Sequence, residues 1–317
     1  MMRHIFYSLL VASVLLSGCA AKNAKNTQTS APVAGSEAAI AASLHKEGNL
    51  SEALEHYAKA IEEKETPQLR NGAGAALLEG GNPQDALQEF NRALVFYPAS
   101  PELLTNKGTA EILLGNDDSA EESFDKALSY APNNPAALNG KALILLRKKE
   151  YESALILLIK AAKEAPEDKA IIFNKALSFE ATGLLEDADK TLTKVLENDP
   201  EDAEARNARG IVRMKRKKYE LARDDFTFAI ALSPTTGIFY YNKAILEQRL
   251  MEYEKAVTNY TRSIAYDPDN PAAYVNRGES YFLLGKKEKG CKDLEKACDA
   301  GLCEKLESYH TARLCMD

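Results

Sequence analysis

Five thiols are the most reactive groups in this chain, and their placement is uneven. Cys291, Cys298, Cys303 and Cys315 all fall within the last 27 residues, while Cys19 stands alone near the start. An even number of cysteines in so short a stretch points to disulfides formed in an oxidising compartment. On one helix Cys291 and Cys298, seven residues apart, share a face but lie about 10 Å from each other, too far to bond. If the chain turns after Ala300-Gly301 and returns as a capping helix over 302–314, Cys298 meets Cys303 and Cys291 meets Cys315. The register is imperfect, because two fully helical arms differ by several ångströms. Free thiols or a metal site are the alternatives. The spacing fits no zinc pattern, and His310 is the only histidine nearby.

Catalytic chemistry has little to work with. The four histidines (His4, His45, His56 and His310) do not cluster, and neither a glycine-rich phosphate loop nor a nucleophile elbow occurs. The acidic pairs Asp117-Asp118 and Asp224-Asp225 read as solvated faces. No enzymatic activity and no cofactor are expected. A net charge of −7 with 27% charged residues suits an exposed soluble surface and argues against nucleic acid as a ligand.

Residues 5–16 form an apolar run of signal-peptide length preceded by Arg3, too short to span a bilayer as a helix. The run ends Leu16-Ser17-Gly18-Cys19, which resembles the bacterial lipobox. The resemblance implies cleavage before Cys19 and a diacylglycerol on its thiol; an ordinary signal peptide with a chance cysteine is the alternative. Two or more acyl chains would anchor the mature chain stably. Ala20, in place of an aspartate, implies the outer membrane, with the protein facing the periplasm. Residues 19–33 then read as the lipidated cysteine and a polar tether with a root-mean-square span of roughly 20 Å.

What positions the thiols is a repeat. Pro98, Pro132, Pro166, Pro200, Pro234 and Pro268 stand 34 residues apart, and Ala86, Ala120, Ala154, Ala188, Ala222 and Ala256 keep the same step. Units starting at Pro67, Pro101, Pro135, Lys169, Ala203, Gly237 and Pro271 have a small residue at position 8 and a bulky one at position 24. A break falls near position 15, at Gly81, Gly115, Gly183 and Gly285. The pattern predicts two short helices, a tight turn and a terminating proline in each unit. One unit cannot bury its apolar stripe alone, so the unbroken period predicts one stacked, elongated body.

These positions resemble the tetratricopeptide repeat (TPR) family. Residues 274–281 look like its first-helix motif and residues 256–268 like its second helix. The resemblance implies an all-α, right-handed α-solenoid of about eight helix-turn-helix repeats. The first repeat is degenerate (34–66), seven regular ones follow (67–300), and a disulfide-linked cap closes the array (301–317). The chain departs from the family at position 4, where Arg70 and Arg206 replace the usual aromatic residue.

By the family's geometry, positions 2, 5, 9, 12 and 13 line an inner wall. Here they include Leu143, Leu146, Phe173, Leu177, Ile211, Met214, Ile238, Tyr241 and Ile245. Apolar side chains on a wall that should be wet mark a groove for an amphipathic helix or extended segment of another envelope protein. Some of the nine are alternatively core residues between repeats. Asparagines at positions 5 and 6 either hold a bound peptide or tie repeats together. The basic run 213–218 is a solvated rim or a contact for anionic lipid or an acidic partner. The expected function is a non-enzymatic envelope scaffold; the narrower alternative is a lipoprotein that pilots a secretin during pilus assembly.

Overall fold

The computed structural model describes residues 35–311 and 314–315; the signal, Cys19 and tether assignments lie outside the described residues. Seventeen helices occur in that range, with no strand among the described residues. In chain order they are α1 (Glu37–Lys46), α2 (Leu50–Glu63), α3 (Pro67–Glu79), α4 (Pro83–Phe96), α5 (Pro101–Leu113) and α6 (Asp117–Tyr130). Then come α7 (Pro135–Arg147), α8 (Tyr151–Glu164), α9 (Lys169–Ala181), α10 (Leu185–Asn198), α11 (Ala203–Lys215) and α12 (Tyr219–Leu232). The series closes with α13 (Gly237–Arg249), α14 (Tyr253–Tyr266), α15 (Pro271–Leu283), α16 (Lys287–Asp299) and α17 (Glu304–Thr311). The fold is all-α, made of consecutive helix-turn-helix repeats.

Local sequence explains the boundaries. Most first helices open on a side-chain cap: Thr66 accepts from the Leu69 amide at 3.3 Å, Asn134 from Ala137 at 3.0 Å and Asp202 from Ala205 at 2.8 Å. Proline follows the cap at Pro67, Pro101, Pro135 and Pro271, where its missing N–H is no loss. Position 15 takes a positive φ in all seven regular repeats, including Lys149 (65°), Lys217 (61°) and Met251 (61°) beside the four glycines.

Within a pair, the two helices meet where position 8 faces position 24. A Cβ added to Gly108 would lie 2.8 Å from Phe124, and one on Gly210 2.7 Å from Phe226. The residues at position 24 (Phe90, Phe124, Leu158, Leu192, Phe226, Tyr260 and Leu294) are all fully buried, as is the alanine ladder. Close backbone approach over a filled interior is what makes the pair rigid.

Where the period implied a single body, the chain forms two compact units, one ending at Thr182 and the other beginning at Gly183. The first contains α1–α9, with its largest core around Phe124, Leu138, Ile144, Leu158 and Ile171. The second contains α10–α17, with cores around Phe226 and Leu246 and around Val275 and Leu294. The capping helix is shorter than the predicted 302–314. Among the described residues it runs over Glu304–Thr311 and buries none of them, starting later than predicted because Gly301 (φ 88°) and a Leu302 amide to Ala297 carbonyl bond close the turn first.

Candidate functional site

The expected wet apolar wall is largely a dry one. Leu143, Leu146, Phe173, Met214 and Tyr241 are each at most 6% exposed. Leu143 and Leu146 sit in the core with Phe124, Leu158 and Ile171; Met214 packs with Ala222, Phe226 and Leu246. The Tyr241 ring meets that of Tyr260 edge-on at 5.7 Å, and its hydroxyl accepts from Asn276 Nδ2 at 2.9 Å. Burial pushes the Tyr241 phenol up to about 12, with the Asn276 bond opposing. The physical reason is that first helices such as α7 are apolar nearly all round, and such helices are interior ones. A charge at Phe173 or Tyr241 would therefore disturb the fold as well as any partner.

Four of the nine, Leu177, Ile211, Ile238 and Ile245, stay half-exposed. Ile211 and Ile245 hold position 9 in successive repeats of the second unit, with Glu279 next in the row. Exposed Lys215 and Arg249 stand one turn further along the same helices. The usable surface of this row is a narrow aliphatic stripe edged by charge.

The asparagines tie repeats together. Asn106 Nδ2 donates to Asn71 Oδ1 at 2.8 Å, Asn174 to Asn139 at 2.9 Å and Asn242 to Asn207 at 2.9 Å. In the last of these rungs Asn207 Nδ2 and Asn242 Oδ1 are buried with no further partner.

Much of the basic run is spent internally. Arg209 and Arg213 grip Asp225 at 2.7 and 2.8 Å, Arg213 reaches Asp189 at 3.1 Å, and Arg216 also pairs with Asp189. Asp225 is 2% exposed, so the reading of Asp224-Asp225 as a solvated face fails at the second residue. Arg277 and Asp293 repeat the arrangement at 2.7 Å. Buried carboxylates of this kind demand paired cations. In the first unit Lys148 pairs with Glu121 at 2.6 Å, and Arg147 with Asp117.

At the C-terminal end the structure joins Cys291 to Cys315 and Cys298 to Cys303, with Cα atoms 5.6 and 4.0 Å apart. Tyr309 of α17 stacks against Phe282 with centroids 4.4 Å apart, and Lys305 pairs with Glu279 at 2.6 Å. Among the described residues no group of three His, Cys, Asp or Glu could hold a metal ion, and no helix is long and apolar enough to cross a membrane.

Comparison with known proteins agrees with this architecture. A model described as tetratricopeptide repeat matches residues 39–101, 105–169 and 173–235. Further repeat models match 252–285 and 271–300. A tetratricopeptide repeat protein from Parabacteroides merdae is 23% identical, with a TM-score of 0.61 over 81% of this chain and 98% of that one. Pseudomonas aeruginosa PilF is 19% identical, with a TM-score of 0.57 over 75% of this chain and 100% of its own. The Cut9–Hcn1 hetero-tetramer of the APC/C gives 15% and 0.70, over 88% of this chain and 55% of that one. At such identities the likeness is one of fold. No curated protein sequence matches the chain. With repeat matches over more than half of its length, the chain belongs to the tetratricopeptide repeat family.

Proposed function

We propose that this chain is a non-enzymatic, protein-binding adaptor of a bacterial envelope, held by lipid on Cys19 at the periplasmic face of the outer membrane. The repeat architecture is of a kind typically used to bind proteins, and the observation that carries the reading is the half-exposed stripe Ile211–Ile245 edged by Lys215 and Arg249. Such a stripe suits an amphipathic segment with acidic flanks. Two cystines at the C-terminal end support an oxidising compartment, and Leu16-Ser17-Gly18-Cys19 supports the anchor.

The test has two arms. Cys19→Ser should move the chain out of the membrane fraction; a variant that still needs detergent, cleaved at an ordinary site, ends the lipid-anchor reading. Envelope cross-linking with Ile211→Ser plus Ile245→Ser, checked for native circular dichroism, should lose the partners that wild type captures. Unchanged capture would move the site off this row. The narrower reading, a secretin pilot, adds its own outcome: deletion of the chain should leave the secretin away from the outer membrane.

A further inference from the structure

Four of the exposed large apolar residues of the first unit gather at one edge, while Ile156 and Ile159 are exposed in the middle of α8. Val95, Phe96 and Tyr97, at the end of α4, are 78%, 54% and 56% exposed, and Tyr130, the last residue of α6, is 50% exposed. Phe96 and Tyr130 each stand with a cation one turn back. Arg92, whose side chain pairs with Glu89 at 3.1 Å yet stays 57% exposed, precedes Phe96 by four residues, and exposed Lys126 precedes Tyr130 by four. Residues so spaced share a helix face.

We propose that this edge rests on the surface of an anionic phospholipid bilayer. The inference depends on the membrane attachment proposed above and says how the attached protein sits. Three observations carry it. First, the helices of each pair are antiparallel across a tight turn, so second helices end at the edge where first helices begin. Helix α1 begins at that edge, capped by Ser36. The 34 residues before Gly35 therefore leave from the edge that carries Phe96, Tyr97 and Tyr130. With a tether of roughly 20 Å, a lipid on Cys19 keeps this edge near the bilayer. Second, the chemistry fits the headgroup boundary. Tyrosine and phenylalanine bury ring faces there while phenol and long cationic stems reach water and phosphate. Near an anionic surface such cations add an attraction that salt screens. Third, the patch is bounded. Glu62, Glu63 and Glu65 outweigh Lys64 at the end of α2, and Lys163 and Glu164 cancel at the end of α8, so neither neighbouring repeat offers the same apolar and cationic patch at that edge.

Hydrogen exchange read by mass spectrometry on the full chain tests this, with phosphatidylglycerol-containing vesicles compared with phosphatidylcholine vesicles. Segments 92–97 and 126–131 should gain protection on the anionic vesicles and lose it at high salt. Phe96→Ser with Tyr130→Ser, both at solvent-exposed sites, should keep the fold and abolish that protection. The mass of the N-terminal peptide from the same sample reports whether Cys19 is acylated. Acylation without protection at these segments overturns the edge and leaves the anchor standing. Protection without acylation supports the edge and removes the proposed anchor. Protection that survives the double substitution overturns the assignment to these residues.

Discussion

Single positions decide how tightly each repeat can turn. Position 15 needs a left-handed residue in every regular repeat, and three repeats meet that need without glycine, at Lys149, Lys217 and Met251. An L-residue there costs about 1–2 kcal/mol, whereas glycine loses roughly 0.5–1 kcal/mol of unfolded-state freedom. Met251 is 74% exposed, so little packing is lost on truncation. Met251→Gly and Lys149→Gly should therefore each stabilise the fold by about 0.5–1 kcal/mol, read as a higher urea midpoint. A lowered midpoint in both would mean that the turn is not strained. The glycine-rich turn was legible in the sequence because four of the seven repeats use glycine; the strain at the other three was not. Position 4 shows the same limit. Arg206 looked like a departure from the family pattern, yet it lies over the Phe228 ring at 4.8 Å. In the next repeat the roles exchange, with Arg262 over Tyr240 at 5.7 Å. A substitution on one helix is answered 22 residues later on its partner, a relation visible only once the pair is folded.

Between helices, the α13–α14 junction sets two carboxyls against each other in their response to pH. Glu247 is 2% exposed and accepts from Asn259 Nδ2 at 2.7 Å. Burial raises its pKa above the ordinary 4.5, with the Asn259 bond, Lys243 and Arg223 opposing. The folded chain then holds a proton that the unfolded chain releases. Its stabilisation is present at low pH and is lost as pH rises above 4.5 through the raised value. Glu252 behaves oppositely. Hydrogen bonds from Arg223, then Lys255, lower it to about 2, so its stabilisation is present above 4.5 and lost as pH falls towards 2. Urea midpoints across pH should show Glu247→Gln flattening the decline on the alkaline side and Glu252→Gln flattening the loss in acid. Identical slopes in wild type and Glu247→Gln would refute the buried-carboxyl account. At this scale the sequence was only half legible. Asparagine recurrence was plain, but the rungs join position 5 of one repeat to position 6 of the next and occupy alternate interfaces. Phe173 holds position 5 of its own repeat and is 2% exposed, so a residue that reads as groove-lining is an interior one.

For the whole molecule, the 34-residue period announced stacked helix pairs, but nothing marked the division at Gly183. Its φ of 82° matches those of Gly81 (76°) and Gly115 (78°), which lie inside the first unit. The C-terminal end was more legible, because cysteines leave few ways to close a short turn. There the cap is held by bonds and not by burial. Helix α17 has no buried residue, yet Phe282, Val275 and Leu294 at the end of the last pair depend on it and on Cys315 for cover. The Cys291–Cys315 bridge spans 24 residues and Cys298–Cys303 only 5. On chain entropy alone these loops contribute about 3.5 and about 2 kcal/mol. Stability in a repeat array is local, since each repeat contacts only its neighbours. Reduction should therefore loosen α15–α17 first, seen as faster amide exchange there, while α1–α9 exchange as before. Cys291→Ser with Cys315→Ser should lower stability more than Cys298→Ser with Cys303→Ser. If reduction instead speeds exchange evenly through both units, the cystines brace the whole chain and the local-cap account is wrong.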